Sequence, residues 1–162
     1  MSGSDLDELY QAVIVDHDRA PRHEGPLAGA TCSGTADNPL CGDVVTLHLR
    51  IEGDVIREVG FEGRGCSLSR AAASILTTML AGRELASARA LGAAFEAFVQ
   101  AKPEAPAGGG VGGGGGGGGG VGAGAPDLGE LVAFAGVRRF RSRRACATLP
   151  LRALAAAVAA AR

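Results

Sequence analysis

Three cysteines and one aspartate are the residues of this sequence that could form a reactive centre. Cys41 and Asp43 flank a glycine in NPLCGDVVTLHL, Cys66 follows EGRG, and Cys146 follows two arginines and an alanine. Three thiolates and one carboxylate suit a tetrahedral Zn²⁺ ion, and thiolates also suit iron–sulfur chemistry. The chain has no C-x-x-C pair, so the spacing is not that of a zinc ribbon. On the alternative interpretation, the cysteines are small buried hydrophobic residues, as free cysteines often are.

The predicted surroundings of these residues favour a shared site. The glycine between Cys41 and Asp43 allows a tight bend that turns both side chains to one side. Cys66 lies where a predicted strand ends and a predicted helix begins, and unpaired N–H groups with the helix dipole lower a thiol's pKa there. Cys146 is predicted to precede the last helix in the same way.

Hydrophobic periodicity predicts the elements that hold these positions. A helix is predicted over 5–18, and strands over 30–37, 44–52 and 55–63, with Gly53 and Asp54 forming the hairpin turn between the last two. Further helices are predicted over 67–81, 84–101, 127–136 and 149–162. The predicted fold class is α+β, with a three-stranded antiparallel sheet covered by helices.

Length and composition predict one domain over 1–162, interrupted by a flexible Gly-rich loop at 102–126 that contains nine consecutive glycines. The net charge of −1 creates no overall field toward nucleic acid or membrane. No apolar run approaches the ~18 residues of a membrane span. The N-terminus lacks the basic and apolar regions of a signal peptide, so we expect a cytoplasmic protein with reduced thiols.

The remaining candidate residues have simpler interpretations. Cys32 is predicted to be an ordinary strand residue, and His48 a solvent-facing one. His17 and His23 are predicted to cap or solvate the end of the first helix rather than bind metal. The run VRRFRSRR has a single aromatic residue, Phe140, among its arginines and matches no known nucleic-acid-binding fold, so we expect it to dock on an acidic protein partner and not on nucleic acid.

Four segments together resemble the U-type iron–sulfur cluster assembly family, which includes IscU, SufU and the NifU N-terminal domain. They are LYQAVIVDHDRAPRHEG, NPLCGD, FEGRGCSLSRAAASIL and GVRRFRSRRACATLPLRAL, in that order. Three features resemble the SufU type: Ala145 where IscU has histidine, Arg143 three residues before the last cysteine, and a long separation of Cys66 and Cys146 (146 − 66 = 80 residues). Asp18 stands where the family usually has an aromatic residue.

The resemblance implies both a site and a function. It implies a U-type scaffold fold and metal ligation by Cys41, Asp43, Cys66 and Cys146, with zinc as the metal or a [2Fe–2S] cluster as the alternative. It implies catalytic roles for Cys41, as acceptor of persulfide sulfur, and for Arg143, which would pair with Asp43. The implied activity is zinc-dependent sulfur transfer, and the alternative is a cluster scaffold. The implied partners are a SufS-type cysteine desulfurase and downstream iron–sulfur assembly proteins.

Overall fold

A computed structural model describes residues 3–101 and 127–161 of the chain. The predicted Gly-rich loop at 102–126 lies outside the described residues. The elements are, in order, α1 (Gly3–Arg19), β1 (Cys32–Asn38), β2 (Asp43–Glu52), β3 (Val55–Arg64), α2 (Ser67–Leu80), α3 (Leu85–Gln100), a 3-10 helix (Gly129–Arg139) and α4 (Arg141–Ala160).

The three strands form one antiparallel sheet in the order β1-β2-β3, which confirms the predicted fold class. Along β2 the side chains alternate, and Val45, Leu47 and Leu49 are fully buried. Gly53 has φ +62° at the hairpin between β2 and β3, as its predicted place in a tight turn requires. The buried face of the sheet packs against α2 and α4.

Helix α4 lies directly on β1 because that strand has a glycine at the contact. A Cβ atom on Gly34 would lie 2.2 Å from the backbone nitrogen of Ala157. Along β1, buried positions alternate with exposed ones. Cys32 is one of the buried positions, and it is an ordinary strand residue as predicted. The side chains of β1 are short, so the strand was only weakly predicted from sequence. The same short side chains allow α4 to approach the strand closely.

The described segments before and after residues 102–126 share one core. The rings of Phe95 in α3 and Phe134 in the 3-10 helix meet edge to face at 5.8 Å. The guanidinium of Arg138 lies 5.0 Å from the ring centre of Phe98. This packing supports the prediction of a single domain, which we keep as a proposal.

The segment predicted as a short α-helix over 127–136 is helical, but its turns are of the 3-10 type. Its large buried apolar residues are spaced by three, at Leu128, Leu131, Phe134 and Val137. A 3-10 helix has three residues per turn, so side chains at i and i+3 lie on one side. The three-residue spacing of apolar residues was the sequence signal for this conformation.

The predicted start of the last helix at residue 149 is wrong. Helix α4 begins at Arg141, so Cys146 lies in its second turn and does not precede it. A helix that began at residue 149 would have had Pro150 in its first turn, where proline is favoured. Pro150 instead lies inside the helix, and since proline has no N–H, the helical hydrogen bond to the carbonyl of Cys146 is absent.

The histidines differ from the prediction in one important case. His17 is 2% exposed, with Nδ1 bonded to Ser74 Oγ at 2.7 Å and Nε2 to a Glu130 carboxylate oxygen at 2.8 Å. It therefore joins α1, α2 and the 3-10 helix, and the prediction of a capping or solvated side chain is wrong.

Along the described chain, no helix combines the length and apolar character needed to cross a membrane.

The other two histidines make local contacts. His23 bonds Thr77 Oγ1 at 3.2 Å. His48 points to the outer face of the sheet, as predicted, and there it bonds Ser33 and Glu62 on the neighbouring strands.

Candidate metal centre

The fold brings the four predicted ligand residues together from four separate places. Cys41 lies in the turn between β1 and β2, and Asp43 is the first residue of β2. Cys66 is the N-cap residue of α2, at the end of the turn that follows β3. Cys146 reaches the same point from the second turn of α4.

The closest contact between thiols joins Cys41 to Cys146. Their sulfur atoms lie 3.6 Å apart, although one residue is exposed and the other is buried. The sulfurs of Cys41 and Cys146 and a carboxylate oxygen of Asp43 all lie within 4.8 Å of one another. Such a group of ligand atoms is compact enough to surround one ion.

Asp43 connects this group to Cys66. Its buried carboxylate accepts the backbone N–H of Cys66 at 2.8 Å through Oδ1, and Oδ2 lies 3.2 Å from the Cys66 sulfur. Gly65 makes the approach possible, since a Cβ atom there would lie 2.0 Å from Oδ1. Gly65 also has φ +128°, and Gly42, between the two ligands, has φ +74°. The tight bend predicted at Gly42 is therefore present.

The environment of Cys146 opposes ionisation of its thiol in the absence of a cation. Burial raises the pKa of Cys146, and hydrogen bonds with Asp43, Cys41 and Cys66 raise it further. The prediction that Cys146 has a lowered pKa at a helix start is wrong because the residue lies inside α4 and is buried. A bound divalent cation reverses this preference, since a coordinating thiol is deprotonated outright.

The donor set fits a thiophilic divalent metal. Three sulfurs and one carboxylate oxygen are the ligand atoms that Zn²⁺ takes in four-coordinate sites. Asp43 is already bound to Cys66, so the carboxylate is held in place by the same turn that carries a thiol.

Arg143 lies apart from the ligand group. It is exposed in the first turn of α4, three residues before Cys146. Across residues 3–101 and 127–161, no ion pair joins Arg143 to Asp43, whose carboxylate is buried against Cys66. The predicted pairing of these two residues is absent, and Arg143 is available to a partner protein.

Sequence reasoning missed three residues that support the site. Asn38 bonds the sulfur of Cys41, and the buried Ser69 donates to the backbone carbonyl of Cys66 at 3.1 Å. Arg70 bonds Asp18 at 3.2 Å, Glu24 at 3.0 Å and the carbonyl of Gly63 at 3.2 Å, just before the turn that carries Cys66. For Asn38 a signal existed, because Asn-Pro before a glycine favours a turn.

Comparison with known proteins now decides the family. The NifU-like N-terminal domain matches residues 9–107, which is more than half of the chain. The chain belongs to the NifU-like N-terminal domain family. Membership in the U-type iron–sulfur assembly group is therefore confirmed.

Relatives within this family carry two descriptions. The zinc-dependent sulfurtransferase SufU of Bacillus subtilis is 33% identical over 96% of this chain and 93% of its own length. The iron–sulfur cluster assembly scaffold protein IscU of Streptococcus pyogenes is 35% identical over 98% of this chain and 87% of its own.

A solved structure extends the likeness to the fold. The putative iron–sulfur cluster assembly scaffold protein for the SUF system from Fervidobacterium islandicum has a TM-score of 0.70 at 25% identity. That likeness covers 90% of this chain and 93% of the other.

Proposed function

We propose that this protein serves iron–sulfur cluster assembly as a zinc-dependent sulfurtransferase. Cys41, Asp43, Cys66 and Cys146 bind one Zn²⁺, and Cys41 accepts persulfide sulfur from a SufS-type cysteine desulfurase. The observation that supports this most is the unequal exposure of the thiols. Cys41 is exposed, Cys66 is half-buried and Cys146 is buried, so the Cys41 thiol is the most accessible of the three to an incoming persulfide.

The sulfur-transfer step is a thiol–persulfide exchange. The thiolate of Cys41 attacks the terminal sulfur of the desulfurase persulfide, and a new S–S bond forms at Cys41. The S–S bond of the donor breaks, and the donor cysteine leaves as a thiolate. No net oxidation occurs, because sulfane sulfur moves between two thiolates. Zn²⁺ bound at the site would hold the thiols of Cys41, Cys66 and Cys146 in their deprotonated form at neutral pH.

The surface around Cys41 suits docking of the desulfurase. Leu40, directly before Cys41, is 90% exposed, and Phe140, at the start of α4, is 55% exposed. Arg139, Arg141 and Arg143 are exposed next to Phe140. These exposed apolar and positively charged side chains lie on the two segments that lead to Cys41 and to Cys146, and they complement a partner surface that is apolar with acidic groups. The role of Arg143 is to bind the desulfurase at this surface.

The alternative function is that of a scaffold on which a [2Fe–2S] cluster is built on the same residues. Thiolates are the usual ligands of such clusters, and the Streptococcus pyogenes relative is described as a scaffold. The two functions differ in what the purified protein carries. We expect one zinc per chain and a colourless sample after aerobic purification, whereas iron and sulfide near 1:1 with a brown colour would replace our proposal by the alternative.

Cysteine variants test the ligands and the acceptor. Cys66→Ser and Cys146→Ser should lose stable zinc binding and lower the melting temperature, because metal binding to converging ligands is coupled to folding. Cys41→Ala should fold and yet fail to carry a persulfide after incubation with a desulfurase and cysteine, as measured by intact mass. Cys32→Ala is the matched control, since this buried cysteine lies outside the site. A Cys41→Ala protein that still carries the persulfide would contradict sulfur acceptance at Cys41.

Arg143→Ala tests the docking role separately. This variant should keep its zinc and its melting temperature but stimulate the desulfurase poorly, because the side chain is exposed and outside the ligand group. Arg152→Ala, an exposed arginine farther along α4, is the control and should stimulate normally. Equal stimulation by both variants would remove Arg143 from the function.

A further inference from the structure

The last residue of β1 makes four hydrogen bonds to the turn that carries Cys41. The backbone carbonyl of Asn38 accepts the N–H of Cys41 at 3.1 Å and that of Gly42 at 2.8 Å. Its side-chain Oδ1 accepts the N–H of Leu40 at 3.2 Å, and its Nδ2 donates to the sulfur of Cys41 at 3.5 Å. Asn38 is only 5% exposed, so water has little access to replace the hydrogen bonds of its amide.

The orientation of the amide follows from its two partners. The Leu40 N–H can only donate, so it requires the amide oxygen on its side, which turns the NH₂ group toward the sulfur. One side chain thus closes the turn with its oxygen and contacts the thiol with its nitrogen. The same turn leaves Leu40 pointing outward, beside the exposed thiol.

Cys41 depends on this contact more than the other thiols depend on theirs. Cys66 is fixed at the start of α2 by the bond from its backbone N–H to Asp43. Cys146 is buried on the rigid α4. Cys41 is exposed on a turn, and within the described part of the chain its sulfur has hydrogen-bond contacts with the Asn38 amide and the Cys146 thiol.

We propose that Asn38 is a positioning residue of the metal centre, which holds the Cys41 sulfur toward the other ligands and sets how readily that sulfur leaves them. The inference rests on the proposed function, because it concerns the same zinc site and the same acceptor thiol. Partners of metal ligands that orient them commonly change metal affinity by about 10- to 100-fold when they are replaced. An amide hydrogen bond also stabilises the sulfur while it is away from the metal, which is the state that accepts persulfide.

Two substitutions separate the turn from the thiol contact. Asn38→Ser keeps an oxygen that can accept the Leu40 N–H, as serine does in turns of this kind, but loses the amide donor to Cys41. Asn38→Leu has a similar size and loses both bonds. Thr35→Val is the matched control, because it removes one side-chain hydrogen bond of the same strand, the 2.8 Å bond to Thr46, away from the site.

The measurements are zinc affinity by competition with a chromogenic chelator, alkylation of zinc-loaded Cys41 by iodoacetamide, and hydrogen exchange at the Leu40 amide. We expect both Asn38 variants to bind zinc about 10-fold more weakly and to be alkylated severalfold faster at Cys41. Leu40 exchange should accelerate only in Asn38→Leu, and Thr35→Val should match the wild type in all three.

Wild-type zinc affinity and Cys41 protection in Asn38→Ser would overturn the inference, as would equal losses in Thr35→Val. These outcomes leave the proposed function intact. A wild-type chain that takes up zinc and shows the expected Asn38 effects, but never carries a persulfide, would instead refute sulfur transfer and leave the positioning role standing.

Discussion

Replacement of Gly65 by alanine should destabilise the protein through two causes at once, a steric clash with Asp43 and a strained backbone conformation. The new Cβ would lie 2.0 Å from Asp43 Oδ1 and 2.8 Å from its Cα, so the carboxylate and its strand must move. The φ of +128° adds backbone strain of about 1–3 kcal/mol for a residue with a side chain. Overpacking of a buried contact adds about 1–3 kcal/mol, so we expect a loss of about 2–6 kcal/mol in the free energy of unfolding.

Two other glycines separate the two causes. Gly53→Ala has a positive φ of +62° but no atom within 4 Å of the new Cβ, so it carries backbone strain alone. Gly63→Ala has no such strain and meets the ring of Phe61 at 3.3 Å and the Arg70 side chain at 3.7 Å, so it should cost about 1 kcal/mol or less. The Gly65 variant alone should also lose zinc, because the carboxylate can no longer hold its position against Cys66.

Urea denaturation of the three variants, with zinc content measured before unfolding, is the assay. The result that would refute this reasoning is a Gly65→Ala protein as stable as Gly53→Ala with one zinc per chain. Such a result would mean that Asp43 does not need the close approach to the turn before α2.

Three further predictions concern pH, a buried histidine and the Gly-rich segment. Because the folded state raises the pKa of Cys146, metal-free protein should lose stability as pH rises past the ordinary thiol pKa of 9.0, and Cys146→Ser should flatten that dependence in thermal unfolding. His17→Ala should cost about 2–4 kcal/mol in urea unfolding, since it leaves a cavity and removes the buried bond to Ser74, whereas His48→Ala, on the outer face of the sheet, should cost less than about 1 kcal/mol. Shortening the glycines at 112–120 to three should change the free energy of unfolding by less than about 0.5 kcal/mol, because closure entropy varies slowly with loop length, and a larger loss would contradict the predicted flexible loop.

The elements with strong local patterns were predictable from sequence. The alternation of Val45, Leu47 and Leu49 predicted which face of β2 is buried. The glycines just before Cys66 predicted the turn between the strand and the helix. Hydrophobic burial with a two-residue period acts within one strand, so it can be read without knowledge of the partners. The convergence of the four ligand residues came from the family resemblance, because spacing alone left buried cysteines as an equal interpretation.

The features that were missed depend on contacts between distant segments. His17 is buried only because Ser74 and Glu130 reach it from other helices. Helix α4 includes Pro150 because its packing on the sheet overrides the local preference against proline, and local preferences could not show this. The bond from Asn38 to Cys41 required the geometry of a turn whose residues suit several turn types.

The contact between Cys41 and Cys146 joins residues 105 positions apart in the chain. Helix α4 follows every other described element, so a growing chain presents Cys41, Asp43 and Cys66 before the fourth ligand residue exists. Strand β1 also depends on this helix for its packing, because Gly34 packs on the backbone of α4. Contacts of such separation require the closure of a long loop, which slows their formation. Docking of α4 on β1 is therefore also what brings Cys146 to the other three ligand residues, so we expect a chain that lacks α4 to offer at most three of the four ligands.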